Sequence, residues 1–135
     1  MKQVTAAILF QKNKLLISRR HKEDILAGKW EFPGGKVESG ETPEECLARE
    51  MNEEFNIQIS VGKFFTSSTY RYTHGDFELL AYFVTWLTGE LSPTVHDEIA
   101  WVDIKDLHSY DFLPADIPIV EKLTSESIHP SNFKS

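Results

Sequence analysis

Residues 35–55 read GKVESGETPEECLAREMNEEF, and this stretch carries more structural information than any other part of the chain. Thr42 is a favourable helix N-cap, Pro43 suits the first helical position, and Glu45 completes a capping box. Apolar residues then recur at four-residue steps as far as Phe55, which is typical of one buried helix face. We therefore predict a helix from about Pro43 to Phe55.

Three acidic side chains share a neighbouring face of this predicted helix, because residues three and four apart are neighbours on a helix. They are Glu50, Glu53 and Glu54, and Arg49 can offset only part of their mutual repulsion. Each close pair of like charges costs about 0.2–0.5 kcal/mol. Mg²⁺ would remove this repulsion, since it binds carboxylate and phosphate oxygens. The alternative interpretation is a solvated acidic face with no ligand.

A glycine turn in front of the helix favours the metal site over that alternative. Residues Phe32-Pro33-Gly34-Gly35 are predicted to end a strand and to turn tightly. Glycine permits close approach of the backbone to a ligand, and its carbonyl can join a metal shell. Loop, spacing and acids together are more specific than any one of them.

The composition of the 135-residue chain is typical of a single domain with its own core. Apolar residues make up 41%, including three Trp and nine Phe. The formal net charge of −7 argues against a polynucleotide surface, which needs a basic patch, but not against a small nucleotide. The longest apolar runs fall short of the roughly 18 residues that a membrane span needs.

The predicted location is a reducing cytoplasm. The first residues, Met1 to Val4, run directly into a strand and do not resemble a signal peptide. The chain has one cysteine, Cys46, which excludes an internal disulfide and is predicted to be a small buried residue of the helix.

Strands are predicted on both sides of the helix, which indicates an α+β layered domain over residues 1–124. A second helix is predicted for Ile117–Leu123, a short helical segment for Lys105–His108, and a flexible tail for residues 125–135, with fraying from Thr124. The predicted strands are Val4–Phe10, Lys14–Arg19, Trp30–Phe32, Ile57–Val61, Phe64–Tyr72, Phe77–Leu87 and Ile99–Val102. The sequence does not fix the oligomeric state.

The motif resembles that of the Nudix hydrolases: Gly, five residues, Glu, seven residues, Arg-Glu, two residues, Glu-Glu, one residue, Gly and an apolar residue. The chain departs from it at Asn56, where the family has glycine; Asn is the next-best residue for a left-handed helix C-cap. The resemblance implies the Nudix fold, an α/β/α sandwich around a mixed β-sheet, as far as about Leu123. The matching residues are Gly35, Glu41, Arg49, Glu50, Met51, Glu53, Glu54 and Ile57.

The resemblance also implies the roles of these residues. Mg²⁺, with Mn²⁺ able to substitute, would be held by the three helix acids and by the carbonyl of Gly35 or its neighbour Gly34. Glu50 or Glu53 would accept the proton of the attacking water, and the choice between them and the number of metal ions stay open. Arg49 would orient the acids and Glu41 would support the loop. Attack at the β-phosphorus of a nucleoside triphosphate would give nucleoside monophosphate and pyrophosphate.

Many family members carry one more metal-site acid, six residues before the Trp that matches Trp101. Here that position is Val95. Asp97 or Glu98 of the same loop is the predicted replacement, or the site relies on the helix alone.

Three further segments, residues 18–20, 30–36 and 113–118, resemble the MutT group of this family, which hydrolyses oxidised dGTP. The last segment also resembles relatives that act on CTP and modified dCTP. By that resemblance Arg20 and Phe32 border the base pocket, and Lys36 is a candidate phosphate contact. Asp116, in Leu113-Pro114-Ala115-Asp116-Ile117-Pro118, lies in a segment that resembles the base-reading loop. MutT has Asn at this position, whereas the relatives that act on CTP and modified dCTP also have Ala-Asp-Ile-Pro. An ionised carboxylate only accepts hydrogen bonds, so it suits guanine-type and cytosine-type bases alike. Asp116 is also a candidate N-cap of the second helix.

The predicted function is Mg²⁺-dependent hydrolysis of (deoxy)nucleoside triphosphates, clearing oxidised or modified nucleotides such as 8-oxo-dGTP. One alternative is the hydrolysis of CTP or modified dCTP, and another is that of ADP-ribose or dinucleotide polyphosphates. A non-catalytic nucleotide or metal sensor is the alternative from another class. The complete set of motif acids argues against it, because a pure binder needs no general base.

Overall fold

The computed structural model describes residues 2–20, 28–72, 75–92 and 96–126, without the side chains of Arg20, Tyr72, His96 and Asp97. Val95 and the chain from residue 127 onward lie outside these ranges. The strands are β1 Lys2–Gln11, β2 Lys14–Arg20, β3 Trp30–Glu31, β4 Ile57–Tyr72, β5 Gly75–Gly89 and β6 His96–Val102. The helices are α1 Pro43–Phe55, two 3₁₀ turns at Ile104–Ser109 and Pro114–Asp116, and α2 Ile117–Ser125.

The strands form one mixed sheet with the order β3-β2-β1-β5-β4, and β6 pairs with β2 outside this path. β1 runs parallel to β5, whereas β4 is antiparallel to β5 and β2 is antiparallel to β1 at their hairpin. Ser18 of β2 pairs with both Glu31 and Ile99, so β3 and β6 lie on opposite edges of β2. The predicted mixed sheet is confirmed.

Both faces of this sheet are buried, and alternate residues of each central strand enter different cores. This is why the middle of β1 reads as a continuous apolar run rather than an alternating one. α1 covers one face with Leu47, Met51 and Phe55, and α2 covers the other with Ile119, Val120 and Leu123. The chain is thus an α/β/α sandwich, as predicted.

Most strand ends agree with the prediction to within one or two residues, and two predicted strand assignments differ more than that. β4 is one continuous strand rather than two, because β-bulges between Val61 and Phe64 and between Phe64 and Thr66 absorb the irregular pattern without breaking the pairing. β6 begins at His96, three residues before the predicted start, because pairing with β2 extends as far as Arg20.

Two helical segments are longer than predicted. The 3₁₀ turn Ile104–Ser109 extends the predicted helical segment at both ends. The helix α2 continues to Ser125, past its predicted end at Leu123, and the Thr124 hydroxyl donates to the Val120 carbonyl at 2.9 Å. The tail that is predicted to be flexible lies outside the described residues from residue 127 onward. Among the described residues, none of the helices has the length and apolarity that crossing a membrane requires.

Candidate active site

The motif helix α1 begins and ends where the sequence predicts. The Thr42 hydroxyl accepts from the Glu45 N–H at 3.1 Å, and the Glu45 carboxylate accepts from the Thr42 N–H at 2.9 Å. Asn56 closes the helix in the left-handed conformation, with a φ of 62°. The substitution of Asn for the motif glycine therefore preserves the helix end.

The glycine segment in front of α1, residues 32–35, is extended rather than tightly turned. It runs antiparallel beside β1, on the edge opposite β5. The Ala7 N–H donates to the Pro33 carbonyl at 2.6 Å, and the Thr5 N–H donates to the Gly35 carbonyl at 2.8 Å. This pairing with a central strand fixes the position of the two glycines relative to α1.

The two glycines are required for different reasons. A Cβ on Gly34 would collide with the carbonyl of Thr5, so Gly34 lets the segment approach β1. A Cβ on Gly35 would collide with the carboxylate of Glu50. Gly35 therefore leaves room for an acid of α1 to lie directly against the loop backbone, which is the close approach that the sequence predicts.

Arg49 joins the loop to the acids of α1. Its guanidinium donates to both carboxylate oxygens of Glu41, at 2.6 and 3.0 Å, and to Glu50 at 2.9 Å and Glu53 at 3.1 Å. It also donates to the Lys36 carbonyl at 3.1 Å. One cation therefore orders three of the predicted catalytic acids and the loop between the glycines and the helix.

These contacts shift the protonation equilibria of the cluster. The hydrogen bonds from Arg49, followed by the one from the Glu38 N–H, lower the pKa of the Glu41 carboxyl from 4.5 to about 2. The hydrogen bonds to Glu41 raise the pKa of the Arg49 guanidinium above its ordinary value. Glu41 is thus ionised throughout the physiological range, as a support for Arg49 must be.

Negative charge remains in excess around Arg49. The guanidinium faces four carboxylates, since Glu38 lies 3.4 Å from it in addition to Glu41, Glu50 and Glu53. Glu54 adds another acid to the same stretch of α1 and is half-buried. The cluster therefore has both the charge and the hard oxygen donors that suit a divalent cation.

The acids are not gathered into a coordination sphere. Within the part of the chain that the structure describes, no three His, Cys, Asp or Glu side chains converge closely enough to hold a metal. Glu50 and Glu53 are turned towards Arg49 instead. The Glu53 side chain is 57% exposed, so binding of a cation here would require movement of side chains rather than a change of fold.

Asp116 lies at the other end of the glycine segment. Its Oδ1 accepts from the Phe32 N–H at 3.3 Å, and the residue is buried. Asp116 occupies the N-cap position of α2, as predicted, but the predicted capping role is wrong, since its side chain makes no cap hydrogen bond to the helix. Pro118, at the second helical position, has no N–H to offer it.

Two of the other predicted substrate residues, Phe32 and Lys36, lie along or beside the same glycine segment. Phe32 is buried and stacks on Phe112, with ring centroids 5.3 Å apart, so its ring belongs to the core. Lys36 is exposed next to Gly35. Arg20 ends β2, and its side chain lies outside the described residues.

A family model of the NUDIX domain matches residues 1–123 of this chain. The chain belongs to the Nudix family. It is 35% identical over 121 residues to the CTP pyrophosphohydrolase of Escherichia coli K12, covering 90% of each protein. It is 34% identical over 113 residues to the 8-oxo-dGTP diphosphatase of the same strain, covering 84% of this chain and 88% of that one.

The solved structures agree with this assignment. The MutT protein of methicillin-resistant Staphylococcus aureus 252, described as a Nudix hydrolase, superimposes with a TM-score of 0.73 at 38% identity, covering 93% of this chain and 96% of that one. The chain is therefore a Nudix hydrolase, and Nudix hydrolases generally use divalent metal ions.

One predicted replacement for the acid missing at Val95 does not join the Nudix motif acids. Glu98 pairs with Arg19 at 2.8 Å, on the same sheet face as Ala100 and Val102, which α2 covers. α1 covers the opposite face. Val95 and the Asp97 side chain lie outside the described residues.

Two residues beneath the Nudix loop complete the described site. Cys46 is fully buried, as predicted, and its Sγ lies 3.5 Å from the Gly35 carbonyl and 3.9 Å from Arg49. Burial raises the pKa of its thiol. Thr5, which sequence reasoning did not single out, places its hydroxyl 3.2 Å from the same carbonyl. A hydroxyl at the start of a buried apolar strand was the signal that could have found it.

Proposed function

We propose that this Nudix hydrolase cleaves (deoxy)nucleoside triphosphates to nucleoside monophosphate and pyrophosphate, using Mg²⁺ held at the acids of α1. The observation that carries the proposal is the Glu50 carboxylate lying against Gly35 while Arg49 holds it to Glu41 and Glu53. A surface helix has no structural need for a buried carboxylate on a glycine backbone. The similarity to relatives named for pyrophosphohydrolase and diphosphatase activities supports the same function.

Glu50, Glu53, Glu54 and one glycine carbonyl would hold the metal, and Mn²⁺ would substitute for Mg²⁺. The Gly35 carbonyl already accepts the Thr5 N–H, which favours the Gly34 carbonyl as the backbone ligand. A divalent metal at this position would neutralise phosphate charge and lower the pKa of the attacking water.

The side chains around the metal position have different proposed roles in the reaction. Glu50 has an orientation fixed by Gly35 and Arg49, which suits a proton acceptor that must meet the water in one geometry. Glu53 is more exposed, and its side chain is therefore better suited to move into a position where it coordinates the metal. Arg49 and Glu41 position both acids, and the exposed Lys36 is placed to contact the phosphates.

Asp116, Phe32 and Arg20 would form the base end of the site. The Asp116 carboxylate is held by the backbone of Phe32, so its acceptor oxygens have a fixed place beside the glycine segment. Ionised, it accepts from the N1–H and amino group of a guanine-type base. Because a guanine-type base offers this carboxylate two donors and cytosine offers one, we place oxidised guanine nucleotides such as 8-oxo-dGTP first among the substrates, and the cytoplasmic nucleotide pool as their source.

CTP or modified dCTP is the second candidate substrate. The same carboxylate also accepts from the amino group of cytosine. The 35% identity with a CTP pyrophosphohydrolase over 90% of each chain favours this candidate.

A substrate panel tests the proposal. The purified protein is incubated with Mg²⁺ and 8-oxo-dGTP, dGTP, CTP, 5-methyl-dCTP or ADP-ribose, and the products are separated by ion exchange. We expect monophosphate and pyrophosphate from at least one triphosphate. Turnover of ADP-ribose alone would replace the proposal with the dinucleotide-type activity. Nucleotide binding without turnover of any substrate would favour a sensor.

We also propose that residues 1–124 form the catalytic domain and that residues 125–135 do not take part in turnover. Since α2 continues to Ser125, a chain ending after residue 126 keeps the helix intact. We expect this shortened chain to keep the full rate on the best substrate of the panel. A loss of rate without a loss of stability would show that the tail contributes to the site.

A further inference from the structure

The buried polar residues of the described part of the chain all meet one short segment of backbone. These residues are Thr5, Ser18, Glu50 and Asp116. Ser18 reaches the Glu31 carbonyl, Asp116 accepts from Phe32, and Thr5 and Glu50 both contact Gly35. A buried polar group is costly unless it is hydrogen-bonded, so four such groups around one segment indicate a segment that needs fixing.

Thr5 is the member of this set that reaches the Gly35 peptide from below. Its hydroxyl lies 3.2 Å from the Gly35 carbonyl, 3.5 Å from the Gly35 N–H and 3.4 Å from the Cys46 Sγ. The Thr5 backbone N–H donates to the same carbonyl at 2.8 Å. Thr5 therefore contacts both polar atoms of the residue against which Glu50 lies.

A side-chain contact matters here because consecutive glycines have the greatest backbone freedom of any residue pair. Neither Gly34 nor Gly35 has a side chain that could restrict its peptide. Ala7, which lies two residues further along β1, pairs with Pro33 through backbone atoms only. The ring of Pro33 already restricts the backbone at that position. The hydroxyl of Thr5 thus supplies a restraint where the loop sequence supplies none.

We propose that Thr5 is a positioning residue for the metal site, with the Cys46 thiol as its partner. Its hydroxyl holds the Gly35 peptide, which sets both the place of the Glu50 carboxylate and the direction of the adjoining Gly34 carbonyl. This inference rests on the proposed metal site. It assigns a function to a strand residue outside the motif, whose side chain is buried under the loop.

The test measures Mn²⁺ binding to the protein without nucleotide, by electron paramagnetic resonance of unbound Mn²⁺, for wild type and three variants. Thr5→Val removes the hydroxyl at constant shape in a residue that favours strands. Thr5→Ser keeps the hydroxyl. Ser18→Ala removes the other buried hydroxyl that contacts the segment, at Glu31, and is the matched control. Melting temperatures show that each variant is folded, and Thr5→Ala replaces Thr5→Val if the latter does not fold.

We expect Thr5→Val to weaken Mn²⁺ binding about tenfold, the lower end of the range for groups that orient metal ligands. Thr5→Ser should restore binding, and Ser18→Ala should leave it within about twofold of wild type, because its contact lies away from the metal position. Equal Mn²⁺ affinity in Thr5→Val and wild type would overturn the inference, as would an equal loss in Ser18→Ala.

Steady-state kinetics distinguish a failure of this inference from a failure of the proposed function. With the best triphosphate, Thr5→Val should lower kcat and raise the Mg²⁺ concentration needed for half-maximal rate, while the KM for nucleotide at saturating Mg²⁺ stays unchanged. A raised KM with unchanged kcat would overturn the inference. If wild type binds Mn²⁺ but turns over no nucleotide, the proposed function fails and the Mn²⁺ comparison still decides the role of Thr5.

Discussion

The acid end and the base end of this site are built in different ways. The acid end is held by side chains that are close in sequence: Arg49 contacts Glu41, eight residues away, and the Lys36 carbonyl, thirteen away. The base end joins Phe32 to Asp116, which are 84 residues apart, through a backbone N–H. One end is a charge network on a single helix and loop, and the other depends on how distant parts of the chain meet.

This difference predicts a division of labour. Changes at the acid end should alter the rate on every substrate, because all share the triphosphate. Changes at the base end should alter the ratio between substrates, because only the base differs.

Glu53→Gln should have the largest effect, lowering kcat on all triphosphates by on the order of 10²–10⁴-fold. The substitution keeps the size of the side chain and removes one metal-binding charge. The fold should remain, and stability without metal should hold or rise, because like-charge repulsion on α1 falls. The measurement is pyrophosphate release at saturating Mg²⁺, with circular dichroism as the check on folding.

Glu44→Gln is the matched control for this substitution. It makes the same chemical change in the first turn of the same helix, at an exposed position away from Arg49. Its rate should stay close to that of wild type. Wild-type turnover in Glu53→Gln would remove Glu53 from the mechanism.

Asp116→Asn should change specificity by about tenfold to a hundredfold, since a buried polar group left without its partner costs about 1–3 kcal/mol. The substitution replaces an acceptor with a mixed donor and acceptor at nearly constant volume. We expect the ratio of kcat/KM for 8-oxo-dGTP and CTP to move much more than the kcat on the better one. Equal slowing of both, with a fixed ratio, would place base recognition elsewhere.

Mg²⁺ or Mn²⁺ should raise the melting temperature more than Na⁺ at equal ionic strength. The carboxylates of α1 are brought together only in the folded state, so the cation stabilises it by about 1.4 kcal/mol at tenfold excess over its Kd. Differential scanning fluorimetry measures the shift. Glu53→Gln should reduce it, and identical curves in the two salts would contradict a metal site.

Glu41→Gln should have the smallest effect, a fall in melting temperature whose size depends on pH. Because the pKa of Glu41 is lowered from 4.5 to about 2, its ionised form stabilises the fold fully above about pH 4.5. That contribution is lost as the pH falls towards 2. The melting temperature of the variant should therefore lie below that of wild type at pH 6 and converge with it near pH 2. A constant difference across this range would show that the Arg49 contact is not what stabilises Glu41.

The two ends also differ in how far the sequence predicts them. Motif spacing, caps and the left-handed Asn56 were all predictable, because each follows from contacts within one helix and loop. The extended path of Gly34 and Gly35 was not, since it depends on pairing with β1. Asp116 was found only through resemblance, and its capping role was wrong because nothing local shows that its carboxylate meets the Phe32 N–H.

The fold shows the same limit. The central strands and both helices were readable from apolar patterning, and the layers followed from the family resemblance. The continuity of β4 and the early start of β6 were not, because both are decided by partner strands rather than by their own residues. Thr5 was missed for the same reason, since its role appears only once Gly35 is seen beside β1.

Attack at the β-phosphorus is tested by hydrolysis of the best triphosphate in ¹⁸O-labelled water with Mg²⁺, followed by mass spectrometry of the products. We expect unlabelled nucleoside monophosphate and labelled pyrophosphate, formed by wild type and lost in Glu53→Gln. Label in the monophosphate would move the attack to the α-phosphorus. Nucleoside diphosphate with labelled inorganic phosphate, or turnover that persists in Glu53→Gln without Mg²⁺, would rule out metal-dependent attack at the β-phosphorus.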